Sequence, residues 1–339
     1  MSSATNVLRE DQLAQLLKAT SRSFYLTLRA LPGPVRSQIG LAYLLARTTD
    51  TVADTDLVPV ERRLTLLRQL SHRFSGGREL PAVGELVGQQ ASEGERALLG
   101  RLDEALALYD TLPPVDRALT QRVLETITAG QQLDLERFGS ANSNSPAALA
   151  NASDLDDYTY RVAGCVGEFW TEMCLAHLDT RSPINHPKLV EQGIRFGKGL
   201  QLINILRDIP ADLKRGCCYL PLEELTKVGL NPKDLTRPDQ WPTLRPVYNH
   251  WLGRAEAHLR QGWAYTNALP RHWGRVRLAC AWPVLIGLET ARLLRSGNPL
   301  DPTRRIKISR SQVYRIMLRT LIALPFPSRF AAIGEFESV

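Results

Sequence analysis

Asp50 and Asp54 stand four residues apart in "LARTTDTVADT" (45–55), a stretch otherwise made of residues suited to burial. On a helix that spacing puts both carboxylates on one face, where they repel each other and resist losing water. Such a pair calls for a cation. A second set follows in "GLQLINILRDIPADLKRGCCYLP" (199–221), where Asn204, Asp208 and Asp212 succeed one another at i, i+4 and i+8. That spacing lays three oxygen-bearing side chains along one stripe. One pair alone reads more readily as solvated surface acids; the second set favours a metal. Mg²⁺ prefers oxygen ligands, keeps several waters and is often shared between one or two carboxylates and a substrate's phosphates. Diphosphate is then the natural third party. Guanidinium groups, which suit phosphate oxygens, sit in the same motifs: Arg22 in "SRSF", Arg47 three residues before Asp50, Arg207 beside Asp208, and Arg215. The bland alternative is that these arginines only neutralise neighbouring acids.

The elements that position these residues are helices. Apolar residues recur at three- and four-residue spacing almost throughout, and alternating β-branched runs are missing, so the fold is expected to be all-α. The spacing predicts helices over 9–19, 34–56, 59–73, 93–110, 115–137, 154–178, 188–213, 242–267, 273–296 and 309–322, with stops at "LPGP", "TLPP" and "INHP". Pro210 lies between Asp208 and Asp212. It removes an amide and pushes its predecessor from helical geometry, so a kink is expected there and Asp212 is the less secure ligand. The polar stretches "SGGRELP" (75–81) and "FGSANSNSPAALANAS" (138–153) separate no halves of different composition, so the 339 residues are expected to form one large domain. The second stretch is long enough for a lid.

A formal net charge of +7 favours anionic partners. The basic residues are dispersed, without an aromatic RNA-binding box or Cys/His finger spacing, which argues against nucleic acid. Five cysteines, including the adjacent Cys217 and Cys218, fit neither a disulfide framework nor a zinc site. The charged N-terminus does not read as a signal peptide, and no run of about 18 apolar residues is available to span a bilayer. A cytoplasmic protein is expected, soluble or lying peripherally on the inner face of a membrane.

Four stretches, in order and spacing, resemble the successive signatures of the squalene and phytoene synthase family: "SRSFYLTLRALP" (21–32), "YLLARTTDTVAD" (43–54), "YTYRVAGCVGEF" (158–169) and "QLINILRDIPADLKRGCCYLP" (201–221). The resemblance implies an all-α isoprenoid synthase fold with a central cavity, closed by C-terminal helices over 242–322. It implies head-to-head joining of two prenyl diphosphates, dependent on Mg²⁺ or Mn²⁺. Asp50 and Asp54 would form the first metal-binding pair and Asn204, Asp208 and Asp212 the second, with Asp50 and Asp208 catalytic. Arg22, Ser23, Arg47, Gln201, Arg207 and Arg215 would face the diphosphates. Tyr158, which opens Y-x-x-x-V-A-G, and Tyr43 would lie beside diphosphate and help transfer a proton. Asp134 matches a polar cavity position. Gly164 and Gly167 would admit a prenyl chain to the backbone or pack helices closely; Arg161, before the V-A-G triplet, has no account at this level.

The C-terminal third bears on the product. "RLACAWPVLIGLETARLL" (277–294) and "RIKISRSQVYRIM" (305–317) resemble squalene synthase stretches, and Arg304, Arg305, Lys307 and Arg310 would bind the 2′-phosphate of NADPH, the bland alternative being an exposed basic turn leading into a helix. The expected activity is squalene formation from two farnesyl diphosphates through a cyclopropyl (presqualene) diphosphate. "RGCCYLPLEEL" resembles the carotenoid branch equally, so phytoene or dehydrosqualene synthase, without NADPH, is the alternative, with a hydroxysqualene-forming enzyme beside it. A non-catalytic assembly factor of the same fold is disfavoured because Asp50, Asp54, Asp208 and Asp212 are all present. A long hydrocarbon, at about 0.8 kcal/mol per buried CH₂, leaves into water too slowly, so peripheral contact with an anionic bilayer is expected.

Overall fold

A computed structural model describes residues 7–21, 24–88, 90, 92–181, 183–304 and 306–334. They form two compact units, one comprising residues up to Glu136 with Phe169–Asp179, the other Arg137–Glu168 with the chain from Thr180 onward. The all-α expectation holds.

In the first unit, α1 (Glu10–Thr20), α2 (Phe24–Ala30), α3 (Gly33–Asp54), α4 (Val60–Phe74), α5 (Gly84–Val87), α6 (Glu93–Gly100), α7 (Leu102–Asp110) and α8 (Pro114–Phe138) follow in order. Helix α3 is the hub, with α1, α2, α4, α6 and α7 packed on it. Its start is set by Pro34 in the first turn, where a missing amide costs no bond. Val35, Ile39, Leu44, Leu45 and Val52 form its buried face. The helix expected over 93–110 is instead two, α6 and α7. The break falls at Arg101 (φ −117°, ψ 17°), directly after the weak helix former Gly100.

The second unit carries α9 (Ala152–Thr159), a π-helical turn (Tyr160–Gly164), the start of α10 (Cys165–His177), α11 (His186–Lys214), α12 (Leu222–Lys227), α13 (Trp241–Ala268), α14 (Gly274–Ser296), α15 (Arg310–Ala323) and α16 (Pro327–Ala332). Helix α11 packs along α13, α13 on α14, and α14 against α15. Leu206, Tyr248, Trp251, Leu252, Leu259 and Leu285 are fully or almost fully enclosed at the centre of this stack. Asn185 caps α11 by accepting from the Lys188 amide at 3.2 Å. The loop read as a lid is tied down. Its strand β1 (Ala147–Ala148) pairs in parallel with β2 (Cys217–Cys218), and the Leu222 amide donates to the Leu149 carbonyl at 2.8 Å. Gly216, at φ +85°, makes the turn into β2; a Cβ there would sit 2.4 Å from the Asn142 nitrogen.

Candidate active site

From Gly40 onward, α3 is buried except for the half-buried Tyr43, Ala46, Arg47, Asp50 and Ala53 and the exposed Asp54, and of these Tyr43, Arg47, Asp50 and Asp54 follow one stripe. Thr48, Thr49 and Thr51, which interleave with them, turn their hydroxyls back onto the carbonyls of Leu44, Ala46 and Arg47, so they bury no unmet polar group. Arg47 forms an ion pair with Asp50 and a second with Glu95 of α6, at 2.7 Å. Its Nε is buried without a hydrogen-bond partner. Burial first, and then the charge of Asp54, pushes the Asp50 carboxyl up to about 6 despite Arg47. The Tyr43 phenol is also raised, by burial, with Arg47 opposing and Asp50 adding to the shift. Asp54 ends α3 and Asp50 lies one turn before it, and the last turn contains no basic residue. A helix C-terminus is the electrostatically wrong end for carboxylates. Two hard oxygen donors at that end, where the Arg47 ion pair does not offset burial and their mutual repulsion, fit Mg²⁺.

In the second unit, Gln201, Asn204, Asp208 and Asp212 follow one stripe of α11 that is half-buried or exposed, while Ile203, Ile205, Leu206 and Ile209 are buried. Arg207 grips Asp208 with two hydrogen bonds, the one from Nε at 2.9 Å. Arg215, just past the helix end, donates to Asp212 at 3.1 Å. Pro210, where a kink is expected, does not end the helix: α11 continues to Lys214. The Leu206 carbonyl, whose helical donor Pro210 lacks, accepts instead from the buried Tyr248 hydroxyl at 3.3 Å. Asp212 therefore stays on the same helix as Asp208. Its side chain, 14% exposed, is the more buried of the two.

The helix expected over 154–178 is interrupted by the π turn at "YRVAG" (160–164). Such insertions occur frequently at functional sites. Tyr158, just before it, stacks on Tyr219 with centroids 4.6 Å apart. Arg161 donates to Asp157 one turn back at 2.8 Å, a local pairing that accounts for the arginine. Of the two readings of the glycines, helix packing holds at Gly167, where a Cβ would lie 1.9 Å from the Gly193 carbonyl oxygen. At Gly164 the neighbours are the Lys198 stem and the Tyr160 ring, both at 3.1 Å.

Lys307 and Arg310 are exposed at the entry to α15, and Arg304 lies 4.0 Å from Asp301. Arg22, Ser23 and Arg305 lie outside the described residues. Asp134 lies on α8. Among the described residues no three His, Cys, Asp or Glu side chains group closely enough to hold a metal by themselves. A site that shares its ion with a substrate's phosphates does not require such a group. Two residues were missed by sequence reasoning, Glu95 and Tyr248. Each acts across tens of residues of chain on a motif whose local spacing contains no sign of it. Burial pushes the Cys165, Cys174 and Cys218 thiols up to about 12, so these three are not thiolate nucleophiles.

The model of the squalene/phytoene synthase family matches residues 17–312, and so takes in both aspartate motifs and the π turn. The chain belongs to that family. A bifunctional lycopene cyclase/phytoene synthase of Colletotrichum graminicola is 26% identical over 328 residues, covering 92% of this chain and 51% of that protein. A squalene synthase of Schizosaccharomyces pombe is 26% identical over 313 residues, covering 91% and 64%. The chain thus spans between half and two-thirds of the length of these curated relatives. A solved ligand complex of TcSQS superposes with a TM-score of 0.73 at 21% identity, covering 96% of this chain and 92% of that one, which supports the all-α family fold. Equal identity to a phytoene-forming and a squalene-forming member leaves the product within the family open.

Proposed function

We propose that this family member joins two farnesyl diphosphates head to head, through a cyclopropyl diphosphate, and that squalene is released after reduction by NADPH. The observation that carries the reading is the pair Asp50 and Asp54, one turn apart at the C-terminal end of α3, where burial and the charge of Asp54 raise the Asp50 carboxyl despite its ion pair with Arg47. The family match covers both units, which supports treating the chain as one catalytic domain in which both aspartate sets serve one reaction.

Asp50 and Asp54, and separately Asn204, Asp208 and Asp212, would hold Mg²⁺, with Mn²⁺ as a substitute. When bound, the metal supplies positive charge that stabilises a departing diphosphate. Arg47 and Arg207, now held by Asp50 and Asp208, can turn a guanidinium fork to phosphate oxygens once those carboxylates have another cation. Arg22, Ser23, Gln201 and Arg215 complete the polar contacts. The Tyr43 phenol, raised by burial, stays protonated and can donate to a diphosphate oxygen or pass on a proton; Tyr158 is assigned the same task. Apolar walls exclude water, which would otherwise trap a carbocation as an alcohol. Lys307, Arg310 and Arg305 would bind the NADPH phosphate. The hydrocarbon product leaves to a bilayer by peripheral contact.

A second reading, dehydrosqualene or phytoene formation without NADPH, is supported by the equal similarity to the phytoene synthase relative. The test is to incubate pure protein with farnesyl diphosphate and Mg²⁺, with and without NADPH, and identify the hydrocarbon by mass spectrometry. Squalene formed only with NADPH is expected. Dehydrosqualene regardless of NADPH would favour the second reading, and no product from farnesyl or geranylgeranyl diphosphate would defeat both.

A further inference from the structure

Helix α15 has two apolar faces and only one of them is covered. Its inner face meets the second unit's core through Ile316. Thr320 Oγ1 there accepts from the Trp282 indole at 3.1 Å, and Gln312 donates to Glu289 at 3.1 Å. The outer face turns Tyr314, Leu318, Leu321 and Ile322 to water, at 63%, 59%, 49% and 62% exposure, and Phe326 follows at 49%. Positions i, i+4, i+7 and i+8 form one helical stripe. Of the eleven exposed large apolar side chains among the described residues, five fall between 314 and 326. A patch so concentrated is a surface for a partner.

Charge identifies the partner. From Pro302 to Gly334 the chain contains seven Lys and Arg and no Asp or Glu. Arg315, Arg319 and Arg329 are exposed, and among the described residues none is paired with a carboxylate. Arg329 lies over the Phe326 ring, 5.0 Å from its centroid, so the apolar stripe and the cations belong to one surface. A two-fold contact between copies of this face would bring the same arginines together and be repelled. No helix among the described residues is long and apolar enough to cross a bilayer. An amphipathic helix with arginine flanks lies in the interface plane instead, its apolar stripe among the upper acyl chains and its guanidinium groups at the phosphates.

We propose that the outer face of α15, together with Phe326, is the docking surface for an anionic lipid bilayer. This deepens the membrane contact assigned to product release and rests on that part of the functional reading. The test uses the full chain without substrate, sedimented with vesicles of phosphatidylcholine alone or with phosphatidylserine, at low and high salt. Wild type is expected to bind the anionic vesicles, more weakly as salt rises. Leu318→Glu with Ile322→Glu should weaken binding at least about tenfold, and Arg315→Gln with Arg319→Gln should remove most of the preference for phosphatidylserine. All four side chains face water, and circular dichroism melting checks that the fold is kept. Unchanged binding by the Leu318/Ile322 variant overturns the proposal. So does a wild type that fails to bind, or a dimer in sedimentation velocity that this variant dissociates while vesicle binding is absent. Condensation assayed separately in detergent distinguishes the two readings: vesicle binding without hydrocarbon formation defeats the catalytic one alone, and catalysis without vesicle binding defeats this one alone.

Discussion

The Tyr248 hydroxyl replaces the amide hydrogen that Pro210 lacks. It reaches the Leu206 carbonyl at 3.3 Å from α13, and α11 runs on past the proline to Asp212 and Lys214. A proline inside a helix normally breaks or kinks it by orphaning the carbonyl four residues back. Here a fully buried phenol supplies the missing donor, so the second aspartate motif keeps its helical spacing.

Tyr248→Phe leaves that carbonyl unsatisfied and should lower stability by about 1–3 kcal/mol, read by urea unfolding. In a Pro210→Ala background the backbone amide regained at that position serves Leu206 itself, so the same Tyr248→Phe change should cost less than half as much. Equal costs in the two backgrounds would mean that the hydroxyl does not substitute for the proline's amide.

Glycines on these helices divide into two kinds, and alanine substitution separates them. At Gly167 a Cβ would fall 1.9 Å from the Gly193 carbonyl oxygen, which is backbone and cannot step aside. Gly167→Ala is expected to destabilise by about 1–3 kcal/mol or more through overpacking. Gly253, inside α13, has no atom within 4 Å of its Cβ position, so Gly253→Ala should stabilise by up to about 1 kcal/mol. Thermal melts showing the same sign for both changes would contradict this packing.

Helices with a sustained apolar face, such as α3, α4, α8, α13 and α14, begin and end within a few residues of where periodicity puts them, because burial of that face sets their extent. Helices α2, α5, α12 and α16 were missed, since four to seven residues are too few to display a period. The π turn at 160–164 was equally hidden, as one extra residue in a turn leaves local composition unchanged. Within the candidate site, the spacing that puts Asp50 with Asp54, and Asp208 with Asp212, on one helix face could be read directly. Glu95 and Tyr248 could not. Their roles exist only after α6 meets α3 and α13 meets α11.

His258 on α13 gives an acid-side prediction. Burial first, and then Arg195, Lys198 and Arg254, lower its imidazole from 6.5 to about 4, with Asp156 opposing. The unfolded chain therefore binds a proton below about pH 6.5 that the folded chain refuses until about pH 4. Stability is complete above the unfolded value and is lost as pH falls through this window. His258→Gln removes the titration while keeping an acceptor for Arg195, so its stability should decline less than wild type between pH 7 and pH 4 in urea unfolding. Parallel pH curves would rule out this role for His258.

Asp50 gives the opposite slope and ties stability to function. Its folded carboxyl titrates near 6 against an ordinary 3.8, raised by burial and then by Asp54, so between those values the folded chain holds a proton that the unfolded chain releases. Stability from this group therefore falls as pH rises from about 4 through about 6, and at neutral pH the ionised Asp50 is a liability that a bound cation would offset. Asp50→Asn removes the charge without changing shape. Its melting temperature relative to wild type should rise across that window and stay higher at pH 7.5. Mg²⁺ with inorganic diphosphate should raise the melting temperature of wild type and leave that of Asp50→Asn nearly unmoved, since a ligand stabilises only the fold that binds it. The same variant should lose far more than tenfold in turnover, a tenfold loss being about 1.4 kcal/mol of barrier. A variant no more stable than wild type at pH 7.5, equally stabilised by Mg²⁺ and diphosphate, and nearly as active, would remove Asp50 from the metal site.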